Sequence, residues 1–174
     1  MLRAYAIKLH ACARNCQELG LGAMDEDFTE LEKGAWGGLL GLHARMMRAI
    51  EADLERTAGI SHPEFEVLLR LSWVQGHRLR LQDLGARAIM TRSGISRVVE
   101  RLEKAGLVVR ESAPEDRRGA YAVLTAKGLA ELHKALKAHV QLVRERFLGL
   151  YSDRELEQLA TFWRRQSEND QEKR

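Results

Sequence analysis

From residue 27 onward, apolar side chains return every three or four positions, the period of a helix that buries one stripe. Phe28, Leu31, Ala35, Trp36, Leu39, Leu40, His43, Met46, Met47, Ile50 and Leu54 mark such a helix from Asp27 to about Thr57. Gly34, Gly37, Gly38 and Gly41 share one side of it. Each glycine costs a helix up to about 1 kcal/mol relative to alanine, so the four either admit close packing by another segment or mark a locally weak helix. Ser61 and Glu64 form an S-x-x-E capping box, and Pro63 sits in a first turn where its missing N–H costs nothing. A helix is therefore expected from His62, with Phe65, Leu68, Leu69 and Trp73 facing inward and the polar stretch from Gln75 to Arg78 ending it. A short segment bearing Leu81 and Leu84 leads to a turn at Ala88, Ile89 and Met90. Thr91 is the N-cap of the next helix, which turns Ile95, Val98 or Val99, and Leu102 inward and ends at Gly106.

The period then changes to two. Leu107 to Arg110 is β-branched and apolar, and in AYAVLT (120–125) Tyr121 and Val123 alternate with Ala122 and Leu124. The polar run SAPEDRRG between them makes a two-stranded hairpin with a charged tip. Thr125 caps a helix expected to reach about Leu150, and Ser152 with Glu155 forms a second capping box for a final helix to about Gln166, ahead of a frayed tail. Upstream, Leu2, Tyr5, Leu9, Cys12, Cys16 and Leu19 recur at spacings of three and four until Gly20 and Gly22. That pattern predicts a helical extension, although Met24, before an acidic run, is an alternative start of translation. The expected architecture is mainly α with a small β-hairpin wing. It divides into an extension (1–23), a first long helix for dimerisation and a cleft wall (24–60), a winged helix-turn-helix (61–125) and C-terminal dimerisation helices (126–174).

Composition narrows the function classes. With 45% hydrophobic and 30% charged residues and only 2 prolines, the 174-residue chain can bury a core. No stretch approaches the roughly 18 to 20 apolar residues of a membrane span, and the charged N-terminus lacks the apolar core of a secretory signal. Two cysteines four positions apart do not make a disulfide framework, so the expected compartment is the reducing cytoplasm. The formal net charge of +3 is unevenly spread: residues 78–118 hold ten Lys/Arg against six Asp/Glu, leaving the rest slightly acidic. Nine of those ten cations are arginine, whose planar fork suits phosphate and guanine.

Two short helices joined by a tight turn, with arginine and serine on the outer, N-terminal half of the second and a basic hairpin directly after it, make a winged helix-turn-helix. A helix of this width fits the major groove, and a basic hairpin can reach the flanking minor groove. The segment MTRSGISRVVERLEKAGLVVRE (90–111) resembles the recognition helix and first wing strand of the MarR family of regulators. DRRGAYAVLTAKG (116–128) is similar to that family's D-x-R wing signature running into Leu-Thr-x-x-Gly. The resemblance covers about residues 28–166. It implies that Arg92, Ser93, Ser96 and Arg97 meet the major groove, that Arg118 enters the minor groove, that Arg117 meets phosphate and that Asp116 orients an arginine. Arg101 is either a further phosphate contact or a solvated residue paired with acidic neighbours. Partners implied are double-stranded DNA and a second copy of the chain.

Rival chemistries find little support. No glycine-rich phosphate loop, G-x-S-x-G or H-E-x-x-H is present, so neither an enzyme nor a bound cofactor is expected. The six histidines show no i, i+4 pair, so no metal site is expected. Redox control through Cys12 and Cys16 is an alternative, although the stripe they occupy makes them small buried side chains by default. The resemblance favours a small organic effector bound between the first long helix and the winged helix. Trp36, His43, Met46, Met47 and Phe65 are its lining candidates, with ordinary dimer core as the competing reading of the same residues. A constitutive DNA-binding protein without effector is the remaining alternative.

Overall fold

The computed structural model describes residues 28–112 and 119–172. Helix α1 (Glu30–Ala58) opens on a capping box that pattern reading missed: Thr29 N–H and Oγ1 both donate to Glu32 Oε2 at 2.8 Å. The chain divides between Ala49 and Ile50, within this helix, into two compact units. In the first unit α1 is unbroken through its glycines. A Cβ placed on Gly34, Gly37 or Gly38 would meet no atom within 4 Å, so no described segment packs closely there.

The second unit holds the winged helix-turn-helix. It comprises the end of α1, α2 (His62–Ser72), β1 (Arg78–Arg80), α3 (Leu81–Arg87), α4 (Arg92–Lys104), β2 (Val108–Ser112), β3 (Ala120–Leu124), α5 (Ala126–Arg146) and α6 (Asp153–Glu172). Its core is aliphatic with one ring: Phe65, Leu68, Leu71, Leu84, Ile95, Val99, Leu102, Val108 and Leu132 are all buried, and among the described residues every polar or charged residue, taken as a whole, is half-buried or exposed. Leu54 and Ile60 seal it at the end of α1. Burying such side chains contributes about 1.5–3 kcal/mol each, which is what holds the short α3 and α4 in place.

Several sequence expectations need correction. The inward face of α2 is Phe65, Val67, Leu68 and Leu71, whereas Trp73 lies past the helix end, is 64% exposed and carries the Arg70 guanidinium 4.8 Å from its ring centre. Both Val98 and Val99 are buried. The sheet has three strands in the order β1–β3–β2, all antiparallel, so the expected hairpin gains Arg78–Arg80 as an edge strand paired to Tyr121–Val123. The helix after Thr125 stops at Arg146, and a short 3₁₀ turn (Leu148–Leu150) follows. The final helix passes Gln166 and reaches Glu172. No helix among the described residues is long and apolar enough to cross a membrane.

The join between wing and α5 explains the Leu-Thr-x-x-Gly run. Thr125 Oγ1 accepts from Gly128 N–H at 2.9 Å and reaches the carbonyl oxygens of Gly106 and Leu107 at 2.9 and 3.1 Å. Gly128 lies so close to Leu107 that a Cβ there would stand 2.1 Å from its carbonyl oxygen. Only glycine lets the first turn of α5 lie against the end of the recognition-helix loop.

Candidate nucleic-acid interface

Helix α4 is positioned from its buried side. Ile95, Val98, Val99 and Leu102 fix its rotation about its axis, and Thr91 fixes its start by accepting Gly94 N–H on Oγ1 at 3.1 Å. The rotation leaves Arg92, Ser93 and Arg97 exposed and Ser96 half-buried, its hydroxyl donating to the Arg92 carbonyl at 3.0 Å. All four expected major-groove residues therefore lie on the first two turns of one helix. Among the described residues neither Arg92 nor Arg97 has a hydrogen-bond or ion-pair partner for its guanidinium.

Four other arginines of the basic segment, Arg78, Arg80, Arg101 and Arg110, are committed to the fold. Arg101 Nε donates to Glu64 Oε1 at 2.8 Å, while Glu64 Oε2 accepts Ser61 N–H and Oγ at 2.8 and 2.7 Å. One carboxylate thus closes the capping box of α2 and grips α4. Burial opposes ionisation of Glu64, but the bonds from Ser61 and Arg101 outweigh it and hold the carboxyl below its usual range. Arg78 pairs with Glu111 at 3.0 Å and lies over the Tyr121 ring at 3.4 Å from its centre, and Arg80 Nε donates to the Tyr121 hydroxyl at 3.2 Å. Arg110, on β2, is bonded to α4 itself. Charge pattern marked these residues as one basic segment; only tertiary contacts separate the arginines that build the site from those it leaves open.

Asp116, Arg117 and Arg118, the expected wing residues, and Cys12 and Cys16 lie outside the described residues. Of the expected effector-cleft residues, Trp36, His43, Met46 and Met47 are on α1 in the first unit, with Trp36 and His43 exposed and the methionines half-buried. Phe65 is in the core of the second unit, its ring centre 5.2 Å from that of His139 on α5. Close by, Asp53 Oδ2 and His139 Nδ1 are buried without a hydrogen-bond partner. Burial, and next the nearby His62, lower the His139 pKa below its ordinary 6.5, while Asp53 and Glu66 pull weakly the other way. No group of three His, Cys, Asp or Glu among the described residues is arranged to hold a metal ion.

Comparison with known proteins agrees with this geometry. Residues 58–119 match the family model described as the MarR family. The chain is 32% identical over 129 residues to the HTH-type transcriptional regulator YkoM of Bacillus subtilis, covering 72% of this chain and 82% of that one. Among solved structures it resembles AbsC, a MarR family transcriptional regulator from Streptomyces coelicolor, at TM-score 0.76 and 33% identity, covering 83% of this chain and 97% of that one. It also resembles Sco3205, a MarR family transcriptional regulator from the same organism solved in complex with DNA, at TM-score 0.76 and 31% identity, over 82% of this chain and 89% of that one.

Proposed function

The chain belongs to the MarR family of DNA-binding transcription regulators, and on that premise we propose that it is a repressor that holds a palindromic operator as a homodimer and is released by a small organic effector. The observation that carries the site assignment is the division among arginines: Arg92 and Arg97 are exposed and, among the described residues, without a hydrogen-bond or ion-pair partner, whereas Arg101, Arg110 and Arg78 are bonded within the fold. In this reading α4 enters the major groove with its N-terminal half foremost. Arg97 bonds both acceptors of a guanine, Arg92 meets a base edge or phosphate, and Ser93 and Ser96 bond further base edges. Arg118 follows the wing into the minor groove, Arg117 meets phosphate, and Asp116 orients one of the arginines. Arg101 turns the remainder of its guanidinium toward the backbone while Glu64 holds it.

The homodimer is supported by apolar side chains that the single chain leaves open. Leu150 is 70% exposed, and Phe162 and Trp163 on α6 are about half exposed, as is Trp36 on α1. A two-fold pairing buries such surface on both copies and sets two recognition helices about 34 to 36 Å apart, one turn of DNA. The effector is supported by the unpartnered Asp53 Oδ2 and His139 Nδ1 beside Phe65, which a small aromatic molecule with polar substituents would satisfy. The bond from Glu64 to Arg101 then links movement of α2 to α4, so a ligand that prefers a shifted α2 biases the recognition helix.

Selection of bound sequences from random duplex DNA with the full chain tests the reading. An inverted repeat with half-site centres one turn apart is expected, together with a dimer in sedimentation at micromolar concentration. Asymmetric selected sites, or a monomer, overturn the dimeric operator-binding part. Operator affinity measured with and without mild oxidant tells effector control from redox control through Cys12 and Cys16.

A further inference from the structure

The turn that joins α3 to α4 contains a residue that folding alone does not favour. Met90 N–H donates to the Gly85 carbonyl at 2.9 Å and Ile89 N–H to the Ala86 carbonyl at 3.3 Å. This pair of bonds closes a helix by placing the residue after its cap in the left-handed region, a position where glycine is the usual occupant. Here that residue is Ile89, at φ +53°. A β-branched side chain is crowded by its own backbone in this conformation. Nor does the side chain bury anything in return, because Ile89 is 95% exposed. Backbone strain and an open apolar side chain coincide at one position, and it lies two residues before Thr91, the N-cap of α4. The N-terminal end of a recognition helix is the end that enters the groove. Strain of this kind is held by the surrounding structure and clusters at sites of functional contact.

We propose that Ile89 is a further DNA-reading residue, whose side chain packs against the 5-methyl group of a thymine at the rim of the major groove beside the bases met by Arg92 and Ser93. The proposal rests on the operator-binding reading given above and adds to it an apolar element. Thymine is the one base that offers a methyl group in the major groove, so a lone apolar side chain there is selective. The left-handed backbone serves this role by holding the isoleucine outward from the turn.

The test uses the full-length protein and the duplex it selects. Ile89→Asn and Ile89→Gly both suit a left-handed position, so they should melt no lower than the parent protein; Ile89→Val keeps a branched apolar side chain. Asn and Gly are expected to weaken operator binding by about tenfold, the loss of one buried apolar contact, while Val retains most of the affinity. Replacing thymines singly by deoxyuridine should reveal one position in each half-site where the parent loses a similar factor and the Asn variant loses nothing further. Parent-like affinity in the Asn variant, or a deoxyuridine penalty that persists in it at every position, overturns the proposal. Failure of the parent protein to select any duplex would instead strike the operator-binding reading itself, so the two failures are told apart.

Discussion

The guanidinium of Arg110, on wing strand β2, donates to the main-chain oxygen of Ser96, in the middle of the recognition helix, at 2.8 Å. Glu103, two turns further along the same helix, holds the same residue: its Oε1 accepts Arg110 N–H at 3.3 Å and its Oε2 lies 3.5 Å from Arg110 Nε. The wing strand and the helix are therefore fastened to each other through one side chain, and in the proposed mode of binding the angle between them is what would let groove and flanking contacts form together.

Arg110→Ala should lower operator affinity about fivefold to tenfold by loosening that angle, the effect of one charge-assisted hydrogen bond worth about 1–1.5 kcal/mol. The slope of affinity against salt concentration should stay unchanged, because no phosphate contact is lost. Titrations at several salt concentrations check this. A slope shallower by about one unit would make Arg110 a phosphate contact rather than a fastener.

Gly128→Ala tests the join between wing and α5. Its Cβ would meet the Leu107 carbonyl oxygen at 2.1 Å and Leu124 Cδ1 at 2.8 Å, and backbone cannot yield as a flexible side chain can. A loss of about 3 kcal/mol of stability is expected, measured by urea unfolding. Loss under about 0.5 kcal/mol would mean that α5 moves away from Leu107 without cost.

How much of this was legible in the sequence depends on the range of the forces involved. The capping pairs Ser61–Glu64 and Ser152–Glu155 and the caps Thr91 and Thr125 act within four residues, and each was read correctly from spacing alone. The rotation of α4 was equally legible, because its apolar side fixes where Arg92, Ser93 and Arg97 point. Strand β1 was not: three residues are too few to show a period, and their partners on β3 lie about forty positions away. Helical spacing places Trp73 on the inward face, but the helix ends at Ser72 and the ring turns outward. The pairing of Arg101 with Glu64, 37 residues apart, and the left-handed backbone at Ile89 leave no trace in local pattern.

Acid should destabilise the second unit in two windows, one that opens below about pH 6.5 and one that opens below about pH 4.5. Burial and His62 depress the folded-state pKa of His139, so between that value and 6.5 the unfolded chain binds the proton more readily. The stability gained by keeping His139 neutral is present above about pH 6.5 and is lost as pH falls through the folded value. Glu64 is likewise depressed, from 4.5, so the contribution of its ionised form is present above that value and lost at lower pH. Unfolding by denaturant at a series of pH values should show His139→Leu flattening the upper window only and Glu64→Gln the lower window only. A profile unchanged from the parent's immediately below about pH 6.5 in His139→Leu would remove His139 as the source of the upper window.

The division among the arginines makes the last prediction. Arg97 is exposed, has no ion-pair partner among the described residues and lies on the second turn of α4, so Arg97→Ala should cost about 1–3 kcal/mol in operator binding and relax preference at one base position per half-site. Arg101 already spends its Nε on Glu64, so Arg101→Ala should lower stability slightly, by about 1 kcal/mol or less for an ion pair this exposed, and weaken all duplexes alike. Arg117→Ala, if the wing meets phosphate there, should also weaken all duplexes alike and flatten the salt dependence by about one unit. Base contacts and phosphate contacts thus leave different signatures in the same titrations. Identical behaviour of Arg97→Ala and Arg101→Ala across matched and mismatched duplexes would mean that exposure and pairing do not decide which arginine reads sequence, and the assignment of α4's outer face would have to be redrawn.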